Sequence, residues 1–165
     1  TIGEPGSRTF YLQAQEGQRL VSVALEKQQS AALADGVDAV LDQLMNEDGN
    51  RYSVPDTAPE GLADDDPLAE PVEEQFRVGE MRLAWDPRTA QVVIQASRLR
   101  LDDAGTVVEE EEPSEALVVR LPVGAARAFA SRTRSIVTQG RPLCPFCVEP
   151  MDADGHTCAI PDGPE

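Results

Sequence analysis

Arg8–Ala14 and Arg19–Leu25 are runs of largely apolar, β-branched or aromatic residues. Between them Gln15-Glu16-Gly17-Gln18 is a short turn with a glycine for positive φ, so the two runs predict a hairpin. The pattern then changes. Leu33, Val37, Val40, Leu41 and Leu44 recur at steps of three and four, which predicts an amphipathic helix from about Gln28 to Met45, with Gly36 as a mild weakness. After an unpatterned stretch, Phe76–Trp85, Ala90–Leu101 and Ala116–Leu121 read as three further strands. Pro122, suited to a helix first turn, opens a second helix to about Thr138, and Gly140 closes it.

The two halves of this pattern superpose. Val23-Ala-Leu25 laid over Val119-Arg-Leu121 carries Leu33 onto Phe129, Ala34 onto Ala130, Val37 onto Thr133, Val40 onto Ile136 and Leu41 onto Val137 without a gap. Upstream, Glu4-Pro5 through Ala14 falls over Asp86-Pro87 through Ala96. The expectation is therefore an α+β fold of tandem β-β-β-α repeats, an antiparallel sheet with two helices packed on one face. Residues 1–46 form repeat one, 47–74 a linker and 75–139 repeat two, so that 1–139 make one duplicated domain ahead of a tail at 140–165. Phe76–Trp85 has no counterpart in repeat one, so the duplication predicts a leading strand before Thr1. Trp85, the single tryptophan, is expected to anchor sheet to helix.

Charge changes the picture of the loops. The chain of 165 residues carries a formal charge of −16, and 17 of its 30 acids sit in two stretches, Glu47–Glu74 and Asp102–Glu115. The first holds ten acids against the single base Arg51, with Pro55, Pro59, Pro67 and Pro71 spread through it, and predicts a disordered, mobile linker. The second reads as an expanded hairpin loop. Such a field disfavours nucleic acid and anionic membranes, and favours solubility or docking of a basic partner. No apolar run approaches the roughly 18 residues of a membrane span and no secretory leader is present, so the expectation is a soluble, cytoplasmic protein.

The most specific chemistry lies in the tail. All three cysteines and the only histidine fall within Cys144-Pro-Phe-Cys147 through His156-Thr-Cys158. A Cys-x2-Cys step offers two thiolates from one tight turn, and Cys144, Cys147, His156 and Cys158 together make a tetrahedral Cys3His set for zinc. A sulfur-rich set of this kind also accommodates iron. Four protein ligands leave no position for water or substrate, so the ion is structural. An odd cysteine count in one cluster argues against a disulfide framework. Asp152, Asp154 and Gly155 read as turn formers, with a carboxylate placed to orient His156.

The runs Gly3–Ala14 and Val21–Gln29, with the ending Gly140-Arg-Pro-Leu-Cys-Pro-Phe-Cys147 through Gly155-His-Thr-Cys158, resemble the actinobacterial domain-of-unknown-function family 3090. The resemblance covers most of the chain except the acidic linker. It implies a cytosolic protein with no established activity, encoded beside a histidine-phosphatase-like and a kinase-like protein. It also carries over Cys144, Cys147, His156 and Cys158 as ligands. Members start further upstream, as the duplication predicts. They continue Cys-Pro-Arg after the histidine, with an Asn-Gly farther on, where this chain reads Cys158-Ala-Ile-Pro-Asp-Gly163.

No nucleotide-binding, hydrolase-elbow or zinc-protease motif is present, and the one histidine is committed to metal, so no catalytic residue is assigned. The leading reading is a non-catalytic adaptor whose sheet edge or face and acidic loops dock another protein, a basic one or a genomic neighbour such as the histidine-phosphatase-like protein. The alternative is an enzyme or small-ligand protein using a polar cleft between repeats, with Glu26, Lys27 and Gln29 on one wall and Arg98 or Arg120 opposite. Nucleic-acid binding through Arg127, Arg132, Arg134 and Arg141 runs against the overall field.

Overall fold

The computed structural model describes residues 1–4, 6–98, 104–106 and 115–139. Strands β1 (Phe10–Glu16) and β2 (Arg19–Leu25) form the expected hairpin, with Glu16 opposite Arg19 across Gly17-Gln18 and Gly17 at φ 59°. Helix α1 spans Lys27–Asn46, followed by β3 (Glu74–Asp86), β4 (Gln91–Arg98), β5 (Ala116–Pro122) and helix α2 (Val123–Thr138). The elements are those the hydrophobic pattern predicts, with ends shifted by a residue or two, except that the expected end of the fourth strand at Leu101 lies outside the described residues.

The strands make one sheet in the order β1-β2-β3-β4-β5. It is mixed rather than antiparallel: β2 and β3 run parallel, through Ser22–Glu74 and Ala24–Arg77 pairs separated by a bulge, while every other neighbour is antiparallel. The reason is the connection. Helix α1 and the stretch after it return the chain to the end of the sheet where β2 began, so β3 must leave in the same direction.

Both helices cover one face. Pairing puts Phe10, Leu12, Val23 and Leu25 on that face in the first hairpin, with Val92, Ile94 and Ala96 doing the same in β4. Against them α1 buries Leu33, Val37, Leu41 and Leu44, none more than 5% exposed. At about 1.5–3 kcal/mol for each fully buried large aliphatic side chain, this stripe is the main support of the helix. Helix α2 contributes the small residues Ala126 and Ala130 to the core, with Phe129, Ile136 and Val137 half-buried around them. Gly36 is a packing position rather than a weakness, because a Cβ there would stand 2.7 Å from Leu83 of β3. Its hydrogen lets α1 approach the sheet.

The acidic stretch between α1 and β3 is not a free linker. It forms short 3-10 turns at Asp48–Asn50 and Glu60–Leu62 and lies against the body as a strap. Tyr52 meets Trp85 edge-on at 4.8 Å, Val54 is 3% exposed, and both carbonyl and amide of Val54 are bonded by the Asn50 side chain. Farther on, Leu62 and Pro59 sit over Gly124 at the start of α2. Composition predicted disorder because its few apolar residues show no period; Tyr52, Val54 and Leu62 act as isolated anchors instead. Trp85 is half-buried against the core, and its ring partner Tyr52 comes from the strap.

Candidate functional site

The strap, α2 and the outer strand β1 line a half-open cavity of about 490 Å3. Phe10 and Leu12 of β1 and Leu33 of α1 give it an apolar floor, while Phe129 and Ile136 of α2 form the wall. Asp64, Asp65 and Asp66 of the strap form the opposite rim. Tyr11 and Gln13, which point to the other face of the sheet, also line it, so the space wraps the edge of β1 away from β2.

Two contacts hold the strap at that edge. On the helix side, Arg132 of α2 donates to the Asp66 carbonyl, and its buried Nη1 stands 3.2 Å from the Asp64 carboxylate, close enough for an ion pair but badly angled for a hydrogen bond. On the far face, Gln13 and Ala69 exchange bonds: the Ala69 amide donates to Oε1 (2.8 Å) and Nε2 donates to the Ala69 carbonyl (3.0 Å). The same Nε2 reaches Ser22 Oγ at 3.0 Å, and Ser22 is buried. The strap thus passes from the helix layer around β1 to the opposite face, leaving a gap beside the strand.

Among the described residues the strand edge facing that gap is paired only at Thr9, with Ile2. Backbone groups in a strand alternate in direction. Thr9 exchanges backbone bonds with Ile2, at 2.8 and 3.0 Å, on the side away from β2. Phe10 and Leu12 therefore bond β2, and Tyr11 and Gln13 turn their N–H and C=O outward. Arg8 donates to the carbonyls of Ile136 (3.1 Å) and Gln139, satisfying the end of α2.

The polar-cleft residues lie elsewhere. Glu26 pairs with Arg77 at 2.5 Å, and its amide donates to the Gln29 side chain at 2.8 Å. Gln29 in turn donates to the Val78 carbonyl at 3.2 Å, so both fasten the start of α1 to β3. Lys27 is exposed, and none of the three lines the cavity. Arg98 pairs with Glu115, and Arg120 with Asp86 at 3.2 Å. The metal-ligand positions Cys144, Cys147, His156 and Cys158 fall outside the described residues, as does most of the second acidic loop. Among the described residues no cluster of three or more His, Cys, Asp or Glu side chains is arranged to hold a metal.

A second polar centre was not singled out by sequence. Arg127 of α2 is 6% exposed and reaches three acceptors: Asp38 at 2.6 Å, Asp42 at 2.7 Å and the Pro55 carbonyl at 3.0 Å. Burial opposes its charge, but hydrogen bonds and charge from Asp42 and Asp38 outweigh it and raise the guanidinium pKa. Arg134 is raised similarly by Asp35 and Asp38. The basic face proposed for nucleic acid is therefore spent, in Arg127, Arg132 and Arg134, on acids of α1 and the strap. The spacing Asp35-x2-Asp38-x3-Asp42 on one side of α1 was the available signal.

A family model described as "Protein of unknown function (DUF3090)" matches residues 1–158. The chain belongs to this family. Neither the curated proteins nor the solved structures contained a match. The match extends through Cys158, so it takes in the strap, the cavity and all four Cys/His positions of this DUF3090 protein. No helix among the described residues is long and apolar enough to cross a membrane.

Proposed function

We propose that this DUF3090 protein is a non-catalytic, cytoplasmic protein-binding module that docks a basic partner, with a structural zinc in its tail. The cavity beside β1 carries this reading. It sets an apolar wall (Phe129 and Ile136) beside a carboxylate rim (Asp64 to Asp66), a composition suited to a polypeptide that carries apolar and basic side chains. The adaptor arises by duplication of a β-β-β-α unit, which the matching stripes of α1 and α2 support.

A second reading, an enzyme or small-ligand protein, has the cavity volume in its favour, since about 490 Å3 lies in the range of drug-sized sites. One comparison separates the two. Phe129→Arg fills the cavity from α2. On the adaptor reading, the purified protein holds no small molecule in native mass spectrometry and its basic partner is captured by wild type but not by the variant. A stoichiometric small molecule lost in the variant would replace the adaptor by the second reading.

The zinc rests on the chemistry of the donors. Cys144, Cys147, His156 and Cys158 supply three thiolates and an imidazole, which fill a tetrahedral ion and leave it a fastening role. Cys147→Ser is expected to reduce bound metal and lower the melting temperature while the far-ultraviolet circular dichroism stays that of wild type. Unchanged metal content by elemental analysis would reject the ligand set.

A further inference from the structure

Strand β5 forms the edge of the sheet opposite β1, with β4 beside it and no other strand among the described residues. Both Ile2, bridged to Thr9, and Gln139, whose carbonyl accepts from Arg8, lie by β1 at the other edge. Hydrogen bonding fixes which backbone groups of β5 look outward. The Arg98 amide donates at 3.1 Å to the carbonyl of Glu115, its direct counterpart in the β4–β5 register, so Leu117, Val119 and Leu121 are the residues that bond β4. Ala116, Val118 and Arg120 therefore turn their N–H and C=O away from the sheet.

Edge strands of monomeric proteins are commonly guarded by charges, bulges or proline. This one is poorly guarded. Its register runs from Gln91–Pro122 to Ser97–Ala116 without a bulge, whereas β3 is bulged against both of its neighbours. Proline stands only at the end, as Pro122, and the single charge of the strand, Arg120, leans to Asp86 of β3 at 3.2 Å. The remainder is apolar on both faces. Val118, on the face away from the helices, is 53% exposed. On the helix face Leu117, Val119 and Leu121 stay half-buried, although Ala96, Ile94 and Val92 opposite them in β4 are covered.

We propose that two copies of this protein pair through β5, antiparallel about a two-fold axis at Val118, and join their sheets into one. The strand is its own best complement. In this register Val118 meets Val118 of the second copy, Leu117 meets Val119 and Ala116 meets Arg120, so apolar rows continue across the seam on both faces. An axis at Arg120 would instead set guanidinium against guanidinium. The outward N–H and C=O groups of Ala116, Val118 and Arg120 bond their equivalents, and the half-buried row on the helix face gains cover. A basic segment in the same place would meet Arg120, and an acidic one would lay its charges along Leu117, Val118 and Val119. Two chains of net charge −16 repel at long range, so apolar contact and backbone bonds hold this seam against the overall field. The inference is independent of what enters the cavity beside β1.

Sedimentation of the full-length protein over a range of concentrations and salt, joined to hydrogen exchange, tests the seam. The mass is expected to rise from one chain to two with concentration, and association to tighten as salt screens the repulsion between acidic chains. The amides of Val118 and Arg120 should slow in exchange as the dimer fills. Val118→Lys places like charges face to face at the axis and should weaken dimerisation at least about tenfold, with the circular dichroism of wild type because the side chain is already half in water. Phe129→Arg, in the cavity, should leave the dimer as it is. A protein that stays monomeric at every concentration overturns the proposal, and so does association that weakens with rising salt. A dimer undiminished in folded Val118→Lys, or lost in Phe129→Arg, would place the contact on another surface. Protection of Val118 and Arg120 that does not depend on concentration would show the edge covered by another stretch of the same chain. The wild-type salt and exchange measurements decide the matter even where Val118→Lys fails to fold.

Discussion

The two hairpin-helix halves share a pattern but are stabilised differently. In the first, α1 presses four large aliphatic side chains into the sheet; in the second, α2 offers the core two alanines and reaches outward with arginines. The first half is held chiefly by that packing, with Glu26 and Gln29 fastening the start of α1 to β3. The second depends on the strap and on carboxylates lent by α1, through Arg127, Arg132 and Arg134. Similar amphipathic stripes thus give one helix that makes the core and another that is tied to it.

The largest effect should come from the first half. Leu41 is fully buried, and Leu41→Ala is expected to cost about 2–5 kcal/mol in denaturant unfolding. Phe129→Ala, at the corresponding face of α2, borders the open cavity and should cost clearly less. Equal losses would erase the contrast between a packed and a tied helix.

Next in size is the tie itself. Arg127→Ala leaves the Pro55 carbonyl and the mostly buried Asp38 without their donor, while Asp42 stays half in water. Removing one partner of a buried pair costs about 3–5 kcal/mol, and the exposure of Asp42 brings the expectation down to about 2 kcal/mol. Arg127→Met should recover part of the loss by packing, at the expense of the strap, whose proteolysis near Pro55 should accelerate in both variants. An unaltered strap would mean that Tyr52 and Val54 hold it without help.

These residues also show what was legible before any coordinates. The strands follow from runs of apolar, β-branched and aromatic residues set off by turns, and the helices from apolar positions recurring at three and four. The parallel β2–β3 pairing was not readable: local pattern carries no direction, and direction is set by the length and path of the connection. That path depends on Tyr52, Val54 and Leu62, three isolated apolar residues among acids, whose anchoring becomes visible only with Trp85 and Gly124 beside them. The cavity was equally hidden. It is built from residues distant in sequence, Tyr11, Asp65 and Phe129, none of which carries a motif. Glu26 and Gln29 were legible as a polar cluster at a helix start, and their bonds to Arg77 and Val78 give them the capping role that such a position favours.

The smallest effect concerns the turn that brings β3 to β4. Asp86 accepts from the backbone N–H of Arg88 at 3.0 Å and from Arg120 at 3.2 Å. The Arg88 amide, with the nearby guanidinium and Thr89, holds its carboxyl below the ordinary value despite some desolvation. A carboxyl depressed in the folded state stabilises fully above its unfolded pKa, about 3.9, and loses that contribution as the pH falls through the folded value. Asp86→Asn should therefore unfold at slightly lower denaturant than wild type at neutral pH, with the gap constant from about pH 5 to 8 and closing below about pH 4. A gap that persists undiminished into strong acid would show that Asp86 holds the turn as a hydrogen-bond acceptor irrespective of charge. The antiparallel seam between β3 and β4 would then owe nothing to the ion pair with Arg120.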